Sequence, residues 1–119
     1  MTTIDIHAHL MPQAFWKAVN AGDSWYGMTL EEQNGQRVTV SNGRRDGVTS
    51  PKLASTPEER IQDMDIQGGD IQVVSTATPM FGYDLDIKEG IALSRDIFED
   101  FKSVVLEKCE KFGLRTNLE

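Results

Sequence analysis

Thr3-Ile4-Asp5-Ile6-His7-Ala8-His9-Leu10 is the stretch on which the reading of this chain turns. Its alternation of apolar and polar residues has the two-residue period of a β-strand, which sends Asp5, His7 and His9 to one face and Ile4, Ile6, Ala8 and Leu10 to the other. Two imidazoles and a carboxylate would then converge, while the apolar face packs against helices. Neutral imidazole is a favoured ligand of zinc and its neighbours, so this pattern points to a divalent metal. The plainer alternative is a chance pair of histidines, because short motifs carry a false-positive risk.

Outward from this strand, strand and helix signals alternate. Met11 to Val19 contains Pro12 near a helix start and Phe15, Ala18 and Val19 at helical spacing, so a short helix ending near Gly22 is expected. Residues 28–40 hold two extended runs around Asn34-Gly35, the sequence signature of a hairpin. Residues 41–55 carry Gly43, Gly47 and Pro51 with little periodicity and read as a loop. Thr56-Pro57-Glu58-Glu59 has the form of a capping box, opening a helix to about Gln67 with Ile61, Met64 and Ile66 inward and Gly68-Gly69 as its stop.

The segment from Asp70 to Thr76 is rich in β-branched residues and reads as a second strand ended by Pro79. A long helix from Ile87 to Phe112 is expected to bury a stripe through Ile91, Ser94, Ile97, Phe98, Phe101, Val105 and Cys109, with Leu114 to Leu118 starting a third strand. Alternation of this kind implies an α/β fold of parallel strands joined by right-handed crossovers. The hairpin is an excursion from it.

Composition narrows the function. At 119 residues with 39% apolar content, the chain is long enough to bury a core as one domain. Its formal charge of −7 argues against nucleic acid, since the 12 Lys and Arg are mixed among 19 acidic residues. No apolar run approaches the roughly 18 residues of a membrane span, and the first residues lack a signal-peptide core. Cys109 is the only cysteine, which excludes an internal disulfide and fits a reducing compartment. The expectation is a cytoplasmic protein with no membrane contact. No glycine-flanked serine nucleophile is present, and Gly68-Gly69 closes a helix instead of opening one, so neither a nucleophilic hydrolase nor a phosphate cradle is supported. Asp63, Asp65 and Asp70 read as solvating and capping groups.

Several blocks in order resemble one family: Asp5-Ile6-His7-Ala8-His9, then Arg60-Ile61-Gln62-Asp63-Met64-Asp65 with Gly68 or Gly69 and Gln72-Val73-Val74-Ser75, then Pro79-Met80-Phe81-Gly82-Tyr83. Together with Lys111-Phe112-Gly113-Leu114 they are similar to the amidohydrolase-related decarboxylases, nearest to the group of aminocarboxymuconate-semialdehyde decarboxylases. The resemblance implies a (β/α)₈ barrel with its site at the C-terminal ends of the strands. It implies a divalent metal, commonly zinc, on His7 and His9 plus a histidine and an aspartate from later strands, and a small carboxylated substrate that is decarboxylated or hydrolysed. A basic residue of the inserted segment would hold the substrate carboxylate. Arg37, Arg44 and Arg45 are the candidates, each with a solvated loop charge as its alternative. Met80, Phe81 and Tyr83 either line the pocket or pack beneath the barrel rim.

A barrel of this type needs about 250 residues, so the chain corresponds to an N-terminal portion with about three strands. The metal site would be incomplete within it, and no catalytic residue beyond the metal ligands is assigned. Open sheet edges would favour homo-oligomers or other association. Three readings follow: part of a metal-dependent decarboxylase or hydrolase with little activity alone, a non-catalytic self-associating or regulatory module, or a small metalloenzyme with a site built between subunits.

Overall fold

The computed structural model describes residues 1–48 and 50–112, with side chains through Lys102. In chain order its elements are strand β1 (Ile4–Leu10), helix α1 (Gln13–Asn20), strands β2 (Thr29–Gln33), β3 (Gln36–Ser41) and β4 (Arg44–Gly47), a 3-10 turn (Pro51–Ala54), helix α2 (Pro57–Gln67), strand β5 (Ile71–Thr76), a second 3-10 turn (Thr78–Met80) and helix α3 (Ile87–Phe112). The architecture is mixed α/β. β1 and β5 form a parallel pair, and β2-β3-β4 form an antiparallel meander. The third strand expected at Leu114 to Leu118 lies outside the described residues, as do the side chains of Val105 and Cys109.

Local chemistry explains several boundaries. Asn34 and Gly35 both take positive φ, at 53° and 76°, as a two-residue turn joining right-twisted strands requires. Asn42 and Gly43 repeat the device at 46° and 77°, so the expected loop over 41–55 is wrong for much of its length. Ser41 ends β3, Arg44 to Gly47 form β4, and Pro51 to Ala54 form a 3-10 turn. The second Asn-Gly was readable in the sequence. What hid the strand after it is that Arg44-Arg45-Asp46-Gly47 has no apolar alternation: it is a short edge strand, a position where charge suits solvent exposure. The Asp84 carboxylate accepts from Ser41 Oγ at 3.1 Å and Asn42 Nδ2 at 2.9 Å, which holds this turn against the segment leading into α3.

At α2 the Thr56 hydroxyl accepts from Glu59 N, and the Glu59 carboxylate accepts from Thr56 N, completing the capping box, while Gly68 closes the helix at φ 75°. α1 solves the same problem by a long-range route. Pro12 precedes it and has no side chain to cap with. Instead the carboxylate of Asp100, on α3, accepts from Gln13 N at 3.0 Å and Ala14 N at 2.9 Å. An anion at a helix N-terminus satisfies its unpaired N–H groups and complements its dipole. Asp100→Ala is therefore expected to cost about 1.5–3 kcal/mol, the range for hydrogen bonds to a charged group, read as a lower urea midpoint at unchanged slope. Asp100→Asn, which keeps one acceptor, should lose less.

The core lies between α1, the meander and α3. Met11, Phe15, Trp16, Met28, Ala77, Met80, Leu93 and Ile97 form one buried cluster. The stripe that α3 buries runs through Leu93 and Ile97, with Phe101 packed alongside. This corrects the expected stripe, because Ile91, Ser94 and Phe98 face solvent. Apolar residues occur on two sides of this helix, so its periodicity alone did not select the buried one. Ile66 of α2 is likewise exposed.

Tyr26 fastens the loop before β2 to α3, its hydroxyl donating to the Asp96 carboxylate. That hydrogen bond first, then desolvation and the Asp96 charge, push its pKa from 10.0 up to about 12. A value raised in the folded state means that the contribution is complete below pH 10 and is lost as pH rises through about 12. In a phenolate absorbance titration, the step near pH 12 should vanish in Tyr26→Phe.

Candidate metal centre

The strand that carries the histidines is not regular. Asp5 is opposite Gln72 and Ala8 is opposite Val74, so Ile6 and His7 together face Val73, and one extra residue is accommodated on β1. Such a bulge shifts the alternation of faces. Asp5 therefore shares a face with Gln72, while His9 shares one with Ser75, and Gln72 and Ser75 stand on opposite faces of β5 by the two-residue period. Asp5 still lines one cavity with both histidines, but the expected convergence of all three on a single metal point is corrected accordingly. Nor does the apolar side of β1 pack as a unit against helices: Ala8 and Leu10 are partly covered, but Ile4 and Ile6 remain 53% and 80% exposed.

The two imidazoles do meet. Their Nε2 atoms are 3.2 Å apart, with the rings nearly perpendicular at 86°. Ser75 Oγ lies 3.0 Å from His9 Nδ1. When the hydroxyl accepts from Nδ1–H, the lone pair of His9 is on Nε2, toward His7. Without an ion, the two nitrogens share a hydrogen bond, one donating and the other accepting. With an ion, the spacing is that of two ligands on one centre: nitrogens about 2.0–2.1 Å from a tetrahedral ion stand about 3.3 Å apart. Among the described residues no group of three or more His, Cys, Asp or Glu is placed to hold a metal, so these residues offer two ligands.

Asp5 supports the backbone instead. Its Oδ1 accepts from His7 N at 3.1 Å and its Oδ2 from Gln72 Nε2 at 3.0 Å. The His7 amide first, then the Gln72 amide, hold this carboxyl below its usual range. Arg60, from α2, donates through Nη1 to Gln72 Oε1 at 2.8 Å and through Nη2 to the carbonyls of His9 and Lys52. Burial lowers its pKa, against the opposing pull of Asp63 and Asp5, but a guanidinium stays charged. Its Nε is buried without a partner among the described residues. In the sequence, Arg60 and Gln72 stand out only as members of two of the blocks that carry the resemblance. Their placement depends on α2 crossing to β5, which short-range patterns do not carry.

Two cavities flank His9. One, of about 310 Å³, is lined by polar and apolar groups in similar measure and includes Asp5, His7, His9, Lys52, Arg60 and Gln72. The other, of about 390 Å³, lies beyond the C-terminal ends of β1 and β5 and is walled by Met11, Val48, Leu53, Ala77 and Pro79, with Asp46 at its side. The sequence-predicted substrate residues are dispersed around these. Arg44 bonds Asp46 at 2.8 Å and reaches the carbonyl of Pro79, both of which line the second cavity. Arg37 stacks on Trp16 at 4.6 Å, and Arg45 pairs with Glu31 at 2.8 Å on the outer strands. Met80 is in the core, whereas Phe81 and Tyr83 are exposed with ring centroids 5.6 Å apart. Of the acidic residues read as solvating or capping, Asp63 pairs with Lys52, and Asp70 accepts from Thr3 N at 2.8 Å.

No protein-family model and no curated protein matches the chain. Among the described residues, no helix is long and apolar enough to cross a membrane.

Proposed function

We propose that this chain is the N-terminal portion of a (β/α)₈ metal-dependent enzyme of the amidohydrolase type, acting on a small carboxylated substrate by decarboxylation or hydrolysis. The observation that carries this reading is the 3.2 Å separation of the His7 and His9 Nε2 atoms on a strand of a parallel pair. The resemblance of the sequence blocks, the histidine block among them, to the amidohydrolase-related decarboxylases supports it as well.

His7 and His9 would hold a divalent ion, zinc foremost, with the remaining ligands supplied by water, by a second copy or by further chain. An ion bound there lowers the pKa of coordinated water and polarises a substrate oxygen. Ser75 fixes the His9 ring in the tautomer that ligation needs. Met11, Val48 and Leu53 offer an apolar wall for the body of the substrate. Of the three candidate arginines, Arg44 is the one set against this cavity, where exchanging Asp46 for a substrate carboxylate would keep its charge paired. Such a pair can be bidentate, which favours arginine over lysine.

The test is native mass spectrometry of the chain with added zinc, alongside His7→Ala. One ion per chain, lost in the variant, supports the reading, and a chain that takes no ion overturns the metal site. A second reading, a non-catalytic self-associating module, is favoured by the exposed Ile4, Ile71 and Val73 on one face of the parallel pair. It predicts a discrete metal-independent oligomer in the same spectra.

A further inference from the structure

His7 lies within a bulge of β1 and His9 just beyond it, and a bulge must be held, because the extra residue leaves backbone groups without ladder partners. Four side-chain bonds hold this one. Gln72 Nε2 donates to Asp5 Oδ2 just before the bulge, and Asp5 Oδ1 takes the amide proton of His7 within it. Arg60 grips the carbonyl of His9 just after it. The circuit closes because Arg60 Nη1 also donates to Gln72 Oε1.

Each member has a fixed polarity. Gln72 accepts at one end and donates at the other, between a guanidinium that only donates and a carboxylate that only accepts. A side chain of either single character at position 72 fails at one end. Lysine at position 60 would keep the charge but lose the planar fork that reaches Gln72 and the His9 carbonyl together.

We propose that Arg60, Gln72 and Asp5 form a positioning relay that fixes the His7–His9 spacing and thereby the metal affinity of the pair, an inference that rests on reading the pair as ligands. None of the three is a ligand of the ion in this reading. They act through the backbone on either side of the histidines.

The polarity of the relay provides a test that separates it from general stabilisation. Asp5→Asn sets an amide donor against the Gln72 donor, and Gln72→Glu sets a carboxylate against Asp5. In the double variant the carboxylate at 72 accepts from both Arg60 and the new amide at 5, whose oxygen still accepts from His7 N. Cobalt(II) is titrated into the full chain and followed by its visible absorption, with thermal melts run in parallel. Each single variant should lose about 10–100-fold in affinity, as is usual when groups supporting metal ligands are removed, and the double variant should return to the wild-type value. A double variant as weak as the poorer single one, or single variants that bind as the wild type does, overturns the relay. If the wild type binds no cobalt, the ligand reading fails by itself, and the relay is judged in metal-free protein by the nuclear Overhauser contact between the two rings. A contact present in the wild type and double variant but lost in the single ones supports it, and a contact kept in all four overturns it.

Discussion

Phe15→Ala is expected to remove most of the stability of this fold. The ring is fully buried and meets Trp16 and Trp25 edge-on, at centroid distances of 5.0 and 6.2 Å. Truncating a buried aromatic costs about 3–5 kcal/mol, because transfer energy is lost and a cavity is left behind. Aromatic pairing adds about 0.5–1.5 kcal/mol. Against a total of about 5–15 kcal/mol for natural domains, a chain of this length has little surplus. The measurement is urea unfolding followed by circular dichroism and tryptophan fluorescence together. A midpoint displaced nearly to zero denaturant is the expected result, and a loss below about 1 kcal/mol would contradict the core position. Phe15→Leu should be intermediate, since it retains most of the apolar volume.

His9→Ala should produce the opposite profile, a large loss of ligand binding with little loss of stability. His9 is exposed, and among the described residues its side chain hydrogen-bonds Ser75 and His7. Removing exposed hydrogen bonds costs at most about 1 kcal/mol, so the melting temperature should scarcely move. Affinity for zinc or cobalt should fall by more than the roughly 10–100-fold typical of supporting groups, because a ligand itself is gone. Ser75→Ala should fall within that range. Calorimetric titration of zinc into the three proteins gives the ranking directly. Equal affinities in the wild type and His9→Ala would remove the imidazole pair from any metal site.

Features of the sequence that act over a few residues were readable, and features that depend on distant partners were not. Thr56 and Glu59 cap one helix three residues apart, and Asn34-Gly35 requires only its own backbone angles, so both were legible. Asn42-Gly43 was equally legible, yet the charged edge strand after it was not, because solvent exposure leaves no apolar alternation to detect. The same distinction runs through the metal centre. His7 and His9 stand two residues apart on a strand, which fixes their proximity from sequence. Ser75, Gln72 and Arg60 reach them across separations of 66 residues from His9 to Ser75 and 51 from His9 to Arg60.

The sequence by itself determined the adjacency of His7 and His9, the capping box and glycine stop of α2, and the turn at Asn34-Gly35, since backbone geometry places those groups wherever the rest of the chain goes. Only the tertiary structure decided three further matters: that the Asp5 carboxylate beside the bulge is committed to the His7 amide and Gln72, that Asp100 caps α1 from 87 residues away, and that α3 buries Leu93 instead of Ile91. Each of these choices depends on which surface a neighbouring element presents, and alternation or helical period is compatible with either outcome until that neighbour is in place.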